Sequence, residues 1–205
     1  MYNMRRTKEE AAVTRATLLR TALSVFSAKG YAVATLDDVA KAAKVTRGAI
    51  YWHFKSKADL YNTLVQEFSA RGAAVVQKAV AEGGTLLEIL RRVFVRQCAL
   101  IEEDKEARAV MELALFKTGL EPELQPGRKK QLEAGAALVA GLTDVMRQGI
   151  AQGMLRNDMD PADMARAFLA FENGVIQLWL ASPKAFSLKV SAESFADIFF
   201  DGICK

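Results

Sequence analysis

Thr35-Leu36-Asp37-Asp38-Val39-Ala40-Lys41-Ala42-Ala43-Lys44-Val45-Thr46-Arg47-Gly48-Ala49-Ile50-Tyr51-Trp52-His53-Phe54-Lys55-Ser56-Lys57 decides the fold. Thr35 and Asp38 have the spacing of a capping box, which opens a short helix holding Val39, Ala40 and Ala43. Thr46 starts a second helix, because its hydroxyl can accept from a free N–H of the first turn. Ile50 and Phe54 are four apart and share a face of that helix, which we read as its core face. Arg47, Tyr51, Trp52, His53, Lys55 and Lys57 then fall mostly on the outer side. Donors and aromatics with no carboxylate suit a phosphate-lined groove. Ser56, with Asp59 three residues on, caps a further helix. Lys57 stands in its first turn, where a cation alone is unfavourable, so we read an anion as docking there.

Leu36 to Val45 followed by Thr46 to Lys57 resembles the helix-turn-helix of the tetracycline-repressor (TetR) family. Thr46 to Lys55 is especially similar to the AcrR-like repressors of multidrug efflux pumps, as is the lead-in Arg6-Thr7-Lys8-Glu9-Glu10-Ala11. The resemblance is specific over about residues 5–65 and loose beyond. It implies a second helix lying in the DNA major groove. There Arg47 can bond guanine bidentately, while Gly48 and Ala49 allow close approach and Ala49 can meet a thymine methyl. It further implies phosphate contacts from Thr35, Thr46, Tyr51, His53 and Lys57, with Trp52 along the backbone. Tyr51 and Trp52 have the alternative of being core aromatics, and Arg47 of being a surface charge. The family usually has Gly at the Lys44 position, in a left-handed conformation; Lys there costs about 1 kcal/mol against Gly. Lys44 is either a further phosphate contact or a tolerated surface residue.

Outward from this stretch, Met1 to Arg6 reads as a basic arm, and Thr7 with Glu10 as the capping box of the first helix. Ala12, Ala16, Leu19, Leu23 and Phe26 form its apolar stripe, and Gly30 closes it. A helix expected over residues 56–79 carries Leu60, Tyr61, Leu64, Val65 and Phe68 toward the head and continues beyond, which would make it a lever. Thr85 and Glu88 open the next helix, whose stripe Leu86, Leu90, Phe94, Gln97 and Ile101 has one polar member, Gln97. A helix through Met111 to Lys117 follows. A long one is expected over residues 123–152, with Leu138, Leu142, Val145 and Met146 on its buried side. Asp160-Pro161-Ala162-Asp163 is a helix start, with Asp at the cap and Pro at the first helical position. The last helix is expected from near Ser191.

The chain has 205 residues, 51% of them hydrophobic, enough for a packed core. Residues 1–57 carry 11 Lys and Arg against 4 Asp and Glu, and residues 58–205 carry 17 against 20. A basic head on a mildly acidic body points to a polyanion partner for the head alone. No apolar run approaches the length of a membrane helix, and no signal segment opens the chain, so a cytoplasmic protein without membrane contact is expected. Cys98 and Cys204 imply no disulfide framework. One histidine, His53, makes a His-based metal site unsupported. No dinucleotide, P-loop, nucleophile-elbow or zinc-protease motif is present, so no cofactor and no enzyme activity are expected.

The expected fold is all-α: an N-terminal three-helix, helix-turn-helix DNA-binding head over residues 1–57, and a larger C-terminal helical ligand-binding and dimerisation domain over 58–205. Glu172 shares a helix face with Phe168, Leu169, Val175, Ile176 and Trp179. A carboxylate there needs a partner: a cationic ligand, a neighbouring subunit or a structural Arg or Lys. Glu112 is either a second pocket carboxylate or an i,i+4 partner of Arg108. Phe94, Gln97, Met111, Phe116, Met146 and Phe171 are the candidate apolar lining. The Met164–Ala181 segment is apolar on nearly all sides, so Phe168, Phe195 and Phe199 of the last two helices are assigned to a homodimer interface. The function expected is a repressor released from a palindromic operator by a small apolar or cationic effector. The alternatives are a DNA-binding protein without effector and a small all-α enzyme.

Overall fold

The computed structural model describes residues 4–204, with side chains from Lys8 onward. The helices are α1 (Met4–Lys29), α2 (Leu36–Ala43), α3 (Arg47–His53), α4 (Lys57–Ala81), α5 (Leu86–Glu103), α6 (Lys105–Phe116), α7 (Gln125–Ala151), α8 (Pro161–Ala181) and α9 (Leu188–Ile203). A single 3₁₀ turn, Pro122–Leu124, precedes α7. There is no β-sheet among the described residues; one isolated bridge joins Leu155 and Cys204. By contact the chain divides into two compact units, residues 1–69 with 106–127, and residues 70–105 with 128–205.

The boundaries mostly follow local caps. Thr35 and Asp38 exchange both hydrogen bonds of a capping box, and Thr85 and Glu88 do the same. Thr46 accepts from the Ala49 N–H at 3.2 Å and Asp160 from the Ala162 N–H at 2.6 Å. Lys44 takes the left-handed conformation, φ 57° and ψ 40°, with its N–H returned to the α2 carbonyls. Two starts differ from expectation. α1 is already helical at Met4, so Thr7 lies inside it; Met and Arg are good helix formers and nothing before Thr7 stops the helix. The basic arm falls outside the described side chains, and Met1 to Asn3 outside the described residues altogether. α9 begins at Leu188 rather than near Ser191, because Ser187 caps it and Glu102 accepts from both the Ser187 hydroxyl and the Lys189 N–H. A carboxylate at a helix N-terminus is favourable twice over, by charge and by hydrogen bond.

In the first unit, Leu18, Leu19, Ala22, Leu23 and Phe26 of α1 pack with Leu36, Val39, Ile50, Phe54, Leu60 and Leu64. Each large apolar side chain so buried is worth roughly 1.5–3 kcal/mol. Val110 and Leu113 of α6 and Leu124 of the 3₁₀ turn belong to the same core. Tyr31 ties them in: its N–H donates to the Lys117 carbonyl at 3.0 Å and its hydroxyl to Glu123 at 3.4 Å. In the second unit, α5 packs along α9 and α8. Phe94, Phe168, Phe171, Phe199 and Phe200 form a ring cluster with centroids 5.4–6.3 Å apart. Gly149 lets α7 approach closely, since a Cβ there would lie 2.7 Å from Leu155. No helix of the described residues is long and apolar enough to cross a membrane.

Candidate functional site

The first site is the outer face of α3. Its inner face is pinned by Ile50 and Phe54, both buried, and its start by Thr46. Tyr51 and Trp52 are exposed, Trp52 by 73%. They are therefore surface aromatics, with Trp52 set edge-on to His53 at 4.5 Å. Burial, and then the charge of Arg15, push the His53 imidazole below its ordinary value. Both effects favour the neutral imidazole, which can offer one N–H. Arg15 itself lies 5.3 Å over the Phe54 ring and pairs with Glu67 at 3.0 Å, bracing the end of α3.

Arg47 is held in place before any partner arrives. Its guanidinium donates to the Tyr51 hydroxyl at 3.1 Å and pairs with Asp37 of α2 at 3.4 Å. Gly48 has open space around it, with only the Thr46 hydroxyl within 4 Å of where a Cβ would stand. Gly48 is exposed and Ala49 half-buried beside Arg47. The Thr35 hydroxyl is less available, because it donates to Asp38 at 2.9 Å as well as accepting from its N–H. The Thr46 hydroxyl accepts from Ala49 and keeps its proton to give.

Lys57 is placed otherwise than its position at a helix start suggests. Its Nζ donates to the carbonyls of Tyr31 at 3.0 Å, Ala32 at 3.3 Å and Ala34 at 3.1 Å, and lies 4.3 Å over the Tyr31 ring. Three carbonyls and a π-face supply the negative partner that was expected to be an outside anion. Lys57 thereby fastens the start of α4 to the α1–α2 loop. Ser56 caps α4 as expected, accepting from the Asp59 N–H at 3.0 Å; only the return bond differs, since the Asp59 carboxylate accepts from the Lys55 N–H at 2.8 Å rather than from that of Ser56.

The second site is a cavity of about 500 Å³ inside the second unit. Its wall comes from Val76 and Val80 of α4, Leu86, Ile89, Leu90, Val93 and Gln97 of α5, Leu138, Leu142 and Val145 of α7, and Phe168, Leu169 and Glu172 of α8. A cavity of this size and polarity is typical of a small-molecule site. Of the expected lining, Gln97 and Glu172 are here. Phe94 and Phe171 stack on each other at 5.8 Å, and Met146 is fully buried; none of the three lines the cavity. Met111, Glu112 and Phe116 lie on α6, in the first unit, and Phe116 is half-exposed. Phe168, assigned to the dimer surface, is 2% exposed and faces the cavity instead. Phe195 packs edge-on against Phe186, and Phe199 against Phe168 and Phe171, within the same chain. The large apolar side chains that α8 and α9 leave exposed are Leu178, Val190 and Ile198.

Desolvation raises the Glu172 carboxyl to about 7. Burial, and then the Glu172 charge, push the Cys98 thiol up to about 12, so the thiol is protonated. Sequence reasoning missed Val76 and Val80, which are one turn apart on α4. It also missed Gln148 and Gln152, which continue the Leu138, Leu142, Val145 stripe at helical spacing. No group of His, Cys, Asp and Glu that could hold a metal occurs among the described residues.

Residues 18–64 match the family described as "Bacterial regulatory proteins, tetR family", and residues 85–204 match the C-terminal region of MAATS-type transcriptional repressors. The chain is 30% identical over 203 residues to the HTH-type transcriptional regulator TtgR of Pseudomonas putida, covering 97% of this chain and 95% of that protein. It is 29% identical over 198 residues to the HTH-type transcriptional regulator AcrR of Shigella flexneri, covering 96% and 92%. The crystal structure of NalD, the secondary repressor of the MexAB-OprM multidrug efflux pump in Pseudomonas aeruginosa, superposes with a TM-score of 0.86. The identity is 23%, over 96% of this chain and 98% of NalD.

Proposed function

Because the chain belongs to the TetR family of bacterial regulatory proteins, and is a transcriptional regulator rather than an enzyme, we propose that it is a cytoplasmic repressor of an efflux or transport operon, released from its operator by a small molecule. The observation that carries the DNA reading is the exposed face of a helix whose other side is pinned in a core. The DNA-reading segment is residues 1–57, and residues 58–205 serve effector binding and dimerisation. Arg47 reads a guanine, with Gly48 and Ala49 allowing the approach. Thr35, Thr46, Tyr51, Trp52 and His53 meet the backbone, and Lys57 holds the head in shape for them. The cavity supports an effector over a DNA-binding protein without one. The resemblance to AcrR-like repressors at Thr46 to Lys55 supports an efflux operon.

Two copies, joined through α8 and α9, would set two heads about 34–36 Å apart on a palindrome. The effector acts by preferring another head arrangement, and only by its differential affinity. The test is selection of bound duplexes from a random pool, followed by a salt titration. A palindrome with half-sites about one helical turn apart is expected, with a steep salt slope reflecting about six to ten phosphate contacts. Recovery of no common site, or a slope near zero, overturns the reading.

A further inference from the structure

Glu172 is the one ionisable side chain among the residues that line the cavity. The other polar members are neutral, and the Gln97 amide already donates to the Gly72 carbonyl at 3.2 Å. No hydrogen bond or ion pair holds the Glu172 carboxylate among the described residues. The arginines of α5 are engaged elsewhere: Arg91 with Glu193 and Asp197, Arg92 with the Ala79 and Gly83 carbonyls, and Arg96 with Glu82. From α5 the titratable neighbour is the Cys98 thiol, which is protonated and no counter-charge; α4, α7 and α9 bring no charged group to bear on Glu172.

An ionised carboxylate in an apolar wall is costly unless an opposite charge meets it. The chain supplies none. We infer that the cavity is a site for an apolar monocation whose charge pairs with Glu172 while its body fills the wall between α5, α7 and α8. This deepens the effector reading given above and rests on it. Phe168 adds an aromatic ring to the same wall.

Cation entry is coupled to a proton. Near neutrality about half of the molecules carry the proton on Glu172. The cation takes the place of that proton, whose O–H bond breaks and which passes to the buffer. Neutral apolar molecules enter without this exchange. Affinity for a permanent cation then follows the ionised fraction of Glu172, and rises about thirtyfold between pH 5.5 and 8.5.

Tetraphenylphosphonium and tetraphenylborate share a shape, carry opposite fixed charges and do not titrate in this range. The full-length protein is titrated with each by calorimetry at pH 5.5, 7.0 and 8.5, at neutral pH in two buffers of different ionisation enthalpy. Operator release by the same ions is read by fluorescence anisotropy. The phosphonium is expected to bind with the rising affinity above and to release about half a proton at pH 7. The borate is expected to bind at least tenfold more weakly, and Glu172→Gln to flatten the pH dependence for the phosphonium. Equal binding of the two ions, or a flat pH series for the phosphonium in the wild type, overturns the inference, and the wild-type series stands whether or not the variant folds. Phosphonium binding as expected without operator release supports the cation site and refutes the effector reading. Equal release by both ions, indifferent to Glu172→Gln, refutes the cation site and keeps the effector reading.

Discussion

Replacing Lys57 by Met separates two roles that a lysine in this position can play. Met keeps most of the length and volume, so contact with the Tyr31 ring survives and only the ammonium is lost. Three donor bonds of 3.0–3.3 Å go with it, to the Tyr31, Ala32 and Ala34 carbonyls. A hydrogen bond from a charged group is worth roughly 1.5–3 kcal/mol. The three share one charge and the site is half-buried, so water can rehydrate the carbonyls and the contributions do not add. We expect a loss of about 2–3 kcal/mol, or a fall of roughly 5–10 °C in Tm for a chain of this size. Urea and thermal denaturation followed by circular dichroism measure it. In the same variant, operator affinity is titrated against salt. A Lys57 that clamps the loop leaves the salt slope unchanged, because no phosphate contact has been removed. A Lys57 that grips phosphate lowers the slope by about one per half-site. Unchanged stability with a reduced slope would refute the clamp and return Lys57 to the DNA contacts.

Arg47→Ala is expected to cost roughly 1–3 kcal/mol per half-site and to flatten the preference at one base pair, measured on operators with single-base changes. Ile198→Glu, at a position 66% exposed, should lower the oligomer mass in light scattering and weaken operator binding, with the fold intact. Phe199→Glu is a poorer probe, since Phe199 packs inside its own chain and its loss should unfold the protein first. Glu172 carries a raised pKa, from 4.5 to about 7. The folded protein therefore holds a proton that the unfolded chain gives up, and stability falls as pH rises from about 4.5 through 7. Glu172→Gln should be the more stable protein at pH 8 in urea titrations, with the difference vanishing below about pH 4.5.

What the sequence made legible was local. The caps at Thr35, Thr46, Thr85 and Asp160 are settled within three residues, and all four stand where they were expected. Lys44 adopts the left-handed turn that its place in the motif implied. The start of α9 was misread because part of its cap, Glu102, is 85 residues away from Ser187. The carbonyl partners of Lys57 were not legible for a similar reason, its acceptors lying 23 to 26 residues back in a loop without periodicity. In the cavity, Gln97 and Glu172 could be picked out as polar exceptions in apolar stripes. Phe94, Met146 and Phe171 could not be told from cavity wall, because periodicity reports a buried face and not whether that face meets a neighbour or a void. Phe168, Phe195 and Phe199 show the same limit: an apolar helix on all sides announces cover, and here much of the cover is its own chain.

The core of the first unit has a further consequence, for how the chain is made and cut. Val110, Leu113 and Leu124 close a core begun by Leu18 and Phe26, and Tyr31 is held from residues 117 and 123. The reading helix therefore does not belong to an autonomous module. On the ribosome, the first three helices must wait for about seventy further residues, from His53 to Leu124, before their last apolar neighbours emerge, and such long-range closure is slow and exposed. A fragment ending soon after Lys57 would lack Val110, Leu113 and Leu124, and so leave that core incomplete. Transplanting the head between relatives demands carrying two separated stretches of sequence, and a deletion in residues 106–127, far from any base pair, would unmake the hand that reads them.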